Sequence, residues 1–308
     1  MRREIRYLKR EQIDVEKWDH CIKNASNGLI YGYAACLDHM SRQWDALIYG
    51  DYDAVMPLTW KRKFGIYYLY QPAFTASLGI FGHNVSENVT NAFIASIPSK
   101  FRLIEISLNH QNITKELPPS SIIRSNFVLD LNREYSFLYS NYRDNIKRNI
   151  KKAIQFECYL KKDIEVDEIL RLSKLQMSAV SNIKILDYTN LRKLYQFLKD
   201  KGQAISYGVY TPKNELLASC IFFFSHNRAY YILVGNHPNG KVYGASHFLI
   251  DGFIKEHAGK NMLLDFEGSD ISNLAFFYSS FGAVEETYPA LRINKLPGIV
   301  RVILNALH

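Results

Sequence analysis

The sequence predicts an α+β protein built from two tandem copies of one unit, with mixed sheets flanked by helices. Two observations point there. The first is order: each half of the 308-residue chain runs through a hairpin, a third strand, a loop, a helix and a further strand. The second is composition. With 47% hydrophobic residues, 21 Tyr and 18 Phe, the chain can fill sizeable cores, and aromatics favour strands. Residue by residue the halves hardly match, so the repeat is architectural. At this length two domains are expected. The boundary is placed near Asn132-Arg133, giving an N-terminal domain, 1–132, and a C-terminal domain, 133–308.

In the first half a helix is expected near Val15–Asn24. Trp44–Tyr49 and Ala54–Trp60 read as a hairpin turning at Gly50-Asp51, and Ile66–Tyr70 as a third strand. A Pro/Gly-containing loop follows. Ser86–Ile97 then places Val89, Phe93, Ile94 and Ile97 on one helical face. Phe101–Leu108 and Ile122–Leu131 read as strands. The second half opens with three helices, near Tyr135–Phe156, Val166–Val180 and Thr189–Lys201. Ala204–Tyr210 and Leu216–Phe224 form a hairpin around Thr211–Glu215, and Arg228–Val234 is its third strand. After a loop, Gly244–His257 puts Ile250, Phe253, Ile254 and His257 on one face. Asn261–Phe266 is a strand. Ser272–Ser280 is a short helix with a Ser cap and a stop at Phe281-Gly282. Glu285–Ile293 closes the second sheet.

Charge is concentrated in one place. The chain carries a net +8, and Arg143, Lys147, Arg148, Lys151 and Lys152 stand together against the single acid Asp144. Ile146, Ile150, Ala153 and Ile154 recur at i, i+4, i+7 and i+8, an apolar stripe that docks this helix and leaves its cations outward. Such a face attracts phosphates or polyanions, although a plain solvated surface would look the same. Lys61, Arg62 and Lys63 form a smaller cationic knot. No run reaches the ~18 apolar residues of a membrane span, and the charged N-terminus lacks the apolar core of a signal peptide. The four cysteines are scattered without metal-ligand spacing among the His. A cytoplasmic protein with reduced thiols and no bound metal is the expectation.

Three stretches then suggest a family: Asn145–Ala153 with its Arg/Lys-rich pattern, Lys241–Leu249, and Leu264–Ser269 together with Phe277–Gly282. With Trp44–Gly82 in the first half, they resemble the GNAT acyltransferase fold in duplicate. More closely, they resemble the Fem-type (FemAB-like) peptidyltransferases, which carry two GNAT-like domains in one chain. The resemblance implies a degenerate first domain and a donor site in the second. GNAT enzymes bind the pyrophosphate of acyl-CoA at a helix N-terminus, where amides and the helix dipole favour an anion. Lys241, Gly244 and Ser246 fall on that family's phosphate motif, with Tyr243 and Ala245 beside them. Ser246 departs from the usual Gly or Ala. Fem-type members depart similarly and are implied to take the acyl group from aminoacyl-tRNA.

Tyr278, four residues before Gly282, matches the tyrosine that many GNAT enzymes place as general acid. Asp265 and Glu267, two apart on an expected strand, would share one face and could orient or deprotonate an amine. Core packing for the tyrosine and ion pairing for the carboxylates are the competing readings. His237 and His247 flank the phosphate-type turn and are further candidates as bases. The implied activity is transfer of an acyl or aminoacyl group from acyl-CoA or aminoacyl-tRNA to an amine or hydroxyl. The acceptor, such as a cell-wall or polysaccharide precursor, would lie between the domains, and the basic helix would offer Arg143, Lys147, Arg148, Lys151 and Lys152 to tRNA. A non-catalytic GNAT-like binding protein is the main alternative. An RNA-binding module is a third, although the basic helix lacks interleaved stacking aromatics.

Overall fold

The computed structural model describes residues 4–177, 183–268 and 270–296. Contacts divide the chain into two units, Met1–Arg124 with Thr287–His308, and Ser125–Glu286. The chain passes between them twice. The boundary expected at 132/133 falls inside the second unit, and the last strand is shared between the two.

In the first unit β1 (Ile5–Lys9), β2 (Trp44–Tyr49), β3 (Ala54–Lys63), β4 (Ile66–Tyr70), β6 (Phe101–Ser107) and β13 (Val284–Asn294) lie side by side in that order. A two-residue β5 (Phe81–Gly82) pairs with β3. Neighbours are antiparallel except β4 and β6, a parallel pair bridged by α3 (Glu87–Ala95). Asp14 starts α1 (Val15–Asn24) by accepting from the Lys17 amide at 3.1 Å, and Ser86 caps α3 in the same way. α2 (Ala34–Met40) follows α1, whose Trp18 packs on Trp44 with ring centroids 5.1 Å apart. Alternation sorts the sheet's faces. Leu58, Leu69, Ile104, Ile106 and Leu291 point into a core with Phe93 of α3. Lys61, Tyr68, Tyr70, Glu105 and Arg292 fall on the other face by register.

The second unit repeats this plan. Its sheet runs β7 (Ile122–Asp130), β12 (Leu263–Asp265), β11 (Arg228–Asn236), β10 (Leu216–Ser225), β9 (Ala204–Tyr210) and β8 (Tyr159–Lys162). β11 and β12 form the parallel pair, joined through α8 (Gly240–Tyr243) and α9 (Ala245–His257). In both units, then, three antiparallel strands lead through a helix to a fourth strand parallel to the third. In both, the antiparallel strand beside that fourth one comes from far away in sequence: β13 in the first unit, β7 in the second.

The helix expected over Tyr135–Phe156 is two, α4 (Tyr135–Ser140) and α5 (Asp144–Gln155), because the Arg143 amide turns away to the Ser280 carbonyl at 2.9 Å. α5 docks on α9 through Ile146, Ile150 and Ala153. Ile154, expected on the same stripe, is 59% exposed. It lies about 80° round the helix from Ile146, beyond the reach of α9. α6 (Val166–Met177) and α7 (Ile185–Lys199) pack together ahead of β9; the expected extension of α6 to Val180 lies outside the described residues. α10 (Ser272–Ser279) completes the unit, with Ile271 rather than a serine at its N-cap. The core centres on Phe253 of α9, stacked on Phe222 at 3.8 Å and edge-on to Tyr207. No helix among the described residues is long and apolar enough to cross a membrane.

Candidate active site

β11 and β12 pair only over Arg228–Tyr230 and Leu263–Asp265. β12 then ends while β11 runs on to Asn236, so the parallel pair parts at its C-terminal end. Just past the parting, Ile221 of β10 faces Leu233 and Phe222 faces Tyr231, which makes Ile232 the extra residue of a bulge in β11. Bulges re-aim the backbone and gather beside active sites. Phe266 and Tyr278 line the same place: their rings stack at 4.6 Å, and Phe266 meets Tyr231 edge-on at 6.1 Å.

Asp265 does not stand ready as a base. Its Oδ2 accepts from Arg228 at 2.6 Å, and its Oδ1 accepts from the Asn126 amide at 2.9 Å and from the Glu267 backbone N–H at 2.8 Å. Arg228 also grips Glu286 with both terminal nitrogens, at 2.9 and 3.0 Å. The side chains of Arg228 and Asp265 are 8% and 5% exposed. Burial opposes the guanidinium's charge, but the two carboxylates outweigh it and raise its pKa. Asp265 is thus the hub of a closed network joining β7, β11, β12 and β13.

Nor do Asp265 and Glu267 alternate along one strand. β12 stops at Asp265, and Glu267 sits in the left-handed region at φ +65. The Asp265 bond to its amide holds that turn. Glu267 is close enough to Tyr278 to act on it electrostatically. Tyr278 is 8% exposed, and its phenol is pushed up to about 12 by burial first and the Glu267 charge second. It therefore holds its proton at neutral pH.

The expected phosphate turn is a helical kink. Gly244 caps α8 and opens α9 at φ +69, and a Cβ there would come within 2.3 Å of the Asn149 carbonyl oxygen of α5. Only glycine fits, for backbone angle and for space together. Ala245 is fully buried, the Ser246 hydroxyl bonds the Asn236 side chain at 2.8 Å, and Tyr243 packs on Phe156 at 4.8 Å. Lys241 is exposed on α8. The Asn149 carbonyl thus lies against the turn where an anion was expected. His247 meets Phe277 edge-on at 5.0 Å, and burial pushes its pKa down to about 4. It stays neutral. His237 accepts the Asn239 amide at 3.2 Å.

The cations of α5 line its outer side. Arg143 lies over the ring of Phe276, 4.6 Å from its centroid, and Lys147 donates to the Ser140 carbonyl at 3.1 Å. Reasoning from the sequence missed Arg228, Asn126, Glu286, Asn149 and the Ile232 bulge. Only Arg228, a lone cation opening an apolar strand, left a signal there.

No family model and no curated protein matches this chain. Solved structures do. FemX aligns with a TM-score of 0.64 at 11% identity, over 97% of this chain and 99% of its own. L-PGS from Bacillus licheniformis aligns at 0.53 and 10%, over 97% and 96%. The C-terminal domain of a putative lysylphosphatidylglycerol synthetase from Agrobacterium fabrum aligns at 0.52 and 10%, over 95% of each chain. The chain shares the α+β, tandem GNAT-like fold of these structures over 95–97% of its length.

Proposed function

We propose that this chain is an acyltransferase that moves an acyl or aminoacyl group onto an amine or hydroxyl acceptor at the parting of β11 and β12. The observation that carries the reading is the convergence there of the β11 bulge, Glu267 and the buried, protonated Tyr278. FemX, L-PGS and the domain of a putative lysylphosphatidylglycerol synthetase share the fold, and the last of these names places an aminoacyl group on a lipid. In the proposed step the acceptor nitrogen attacks the acyl carbon and the bond from that carbon to the donor breaks. Glu267 takes the proton from nitrogen, and Tyr278 gives its own to the leaving group. Asp265 serves by holding Glu267.

Two donors fit the class, and two features favour aminoacyl-tRNA over acyl-CoA. A thiolate, from a thiol of pKa ~8.5, leaves without help from a phenol pushed up to about 12, whereas an alkoxide from an ester is basic enough to take that proton. The Gly244 turn also meets the Asn149 carbonyl rather than open space. The α5 cations would then contact the tRNA, and Lys241 the donor's phosphates. A cell-wall or polysaccharide precursor remains a fitting acceptor.

A thermal-shift titration with aminoacyl-tRNA, deacylated tRNA, acetyl-CoA, longer acyl-CoAs and free CoA tests the donor. A ligand at 100 times its Kd adds about 2.7 kcal/mol of stability. A rise with aminoacyl-tRNA supports the proposal, and a rise with CoA alone moves the donor to acyl-CoA. No rise with any donor favours a non-catalytic binding protein. Once an acceptor is found, Tyr278→Phe should lower kcat about 10²–10⁴-fold.

A further inference from the structure

We propose that the β3–β4 end of the first unit's sheet, on the face opposite α3, binds a single-stranded polynucleotide. β3 ends in three successive cations, Lys61, Arg62 and Lys63, whose partners in register across the hairpin are Tyr68, Tyr67 and Ile66. Two of the three cations thus stand directly opposite tyrosine rings. Lys61 and Lys63 share the face away from the core, and so do Tyr68 and Tyr70 on the neighbouring strand. Side chains two apart on a strand repeat about every 6.6 Å. The face thus holds a row of ammonium groups beside a row of phenol rings.

The contacts bear this out. The Lys61 ammonium lies 3.7 Å from the centroid of Tyr70, and the rings of Tyr68 and Tyr70 are 6.3 Å apart. Phe64, at the hairpin tip, is 85% exposed with Lys63 at 5.4 Å from its ring. Tyr70 also lines a cleft of about 510 Å³ on the same face, together with Glu105, Arg124 and Arg292. Phosphates on a row of cations and bases on adjacent rings are how sheet surfaces hold unpaired strands, largely without regard to sequence. A lipid surface would want aliphatic side chains at the tip, and the tip offers a single Phe. Pairing of β3 with β4 supplies the interleaved rings that the α5 helix lacks. The proposal concerns the first unit alone and stands whether or not the transferase reading holds.

The test is fluorescence anisotropy of the full chain with a labelled 12-nucleotide single-stranded RNA of mixed sequence, from 50 to 200 mM salt. Phe64→Ala should weaken binding roughly 5- to 150-fold, the range for losing one stacked base. Lys61→Gln with Lys63→Gln should flatten the slope of log K against log salt by about 1.4, two phosphates at ~0.7 each. Phe64 and Lys63 are exposed, so unchanged circular dichroism and Tm will show that these variants fold. Absence of binding at 100 μM protein overturns the proposal. So does binding that responds only to Arg148→Gln with Lys151→Gln on α5. Equal competition by a mononucleotide, at matched phosphate concentration, would make this a mononucleotide site. Anionic vesicles binding through Phe64 where RNA does not would make it a membrane contact.

Discussion

Replacing Arg228 by Leu would strand two carboxylates. Asp265 and Glu286 lie 2.6 to 3.0 Å from the guanidinium, with side chains 5% and 19% exposed. Removing one partner of a buried ion pair costs about 3–5 kcal/mol. Water reaches Glu286 in part, so the lower end, about 3 kcal/mol, is expected for Arg228→Leu. In a unit of 150–250 residues 1 kcal/mol moves Tm by about 2–4 °C, which gives a fall of roughly 6–12 °C. Urea unfolding followed by circular dichroism measures the loss directly. The triple variant Arg228→Leu, Asp265→Asn, Glu286→Gln removes the charges together and should recover more than half of it. A single variant that loses less than about 1 kcal/mol, or a triple variant less stable than the single, would refute the buried network.

Gly244→Ala combines a left-handed backbone with a clash against the Asn149 carbonyl, and a loss of about 2–4 kcal/mol is expected in the same urea assay; a loss under 0.5 would show that α5 yields easily. Ile150→Ala should cost about 2–5 kcal/mol, whereas Ile154→Ala, one turn on but exposed, should stay within about 0.5. Phe253→Ala, at the centre of the aromatic stack, should cost about 3–5 kcal/mol. His247 titrates near 4 when folded and near ~6.5 when unfolded, so the folded state binds fewer protons between those values. Its contribution to stability is complete above pH ~6.5 and lost as the pH falls towards 4. His247→Phe should flatten the fall in stability over that window by up to about one proton; equal slopes in both proteins would count against a buried neutral imidazole.

Elements whose period and turn chemistry agree are legible in the sequence. α1, β2, β4 and β9 have the bounds expected for them, and the shared order of the two halves survives as a shared topology. β1, α2 and β8 escaped notice for a common reason: they are short, and β1 and β8 mix charged with apolar residues at sheet edges, where burial imposes little pattern. Ile154 shows the limit of periodicity, which reports where a stripe points but not how far its partner extends. For the candidate site, the sequence named residues but not their neighbours. The surroundings of Tyr278, Gly244 and Glu267 are set by neighbours remote in sequence. Asp265 became an anchor because Arg228 and Asn126 reach it across the sheet. Gly244 is needed because Asn149 of another helix leans on it. No local spacing encodes such pairings.

The exchange of closing strands sets a constraint on synthesis. β6 ends at Ser107, yet the strand that covers its outer edge, β13, begins at Val284. At ~5–20 residues per second, the ribosome needs on the order of 10–35 s to make the intervening chain. Throughout that interval the nascent first unit presents an unpaired strand edge, the kind of surface that recruits other chains. In the second unit β7 waits likewise, until its partner β12, Leu263–Asp265, has been made. Although the second unit starts later, it is the one able to complete its sheet first.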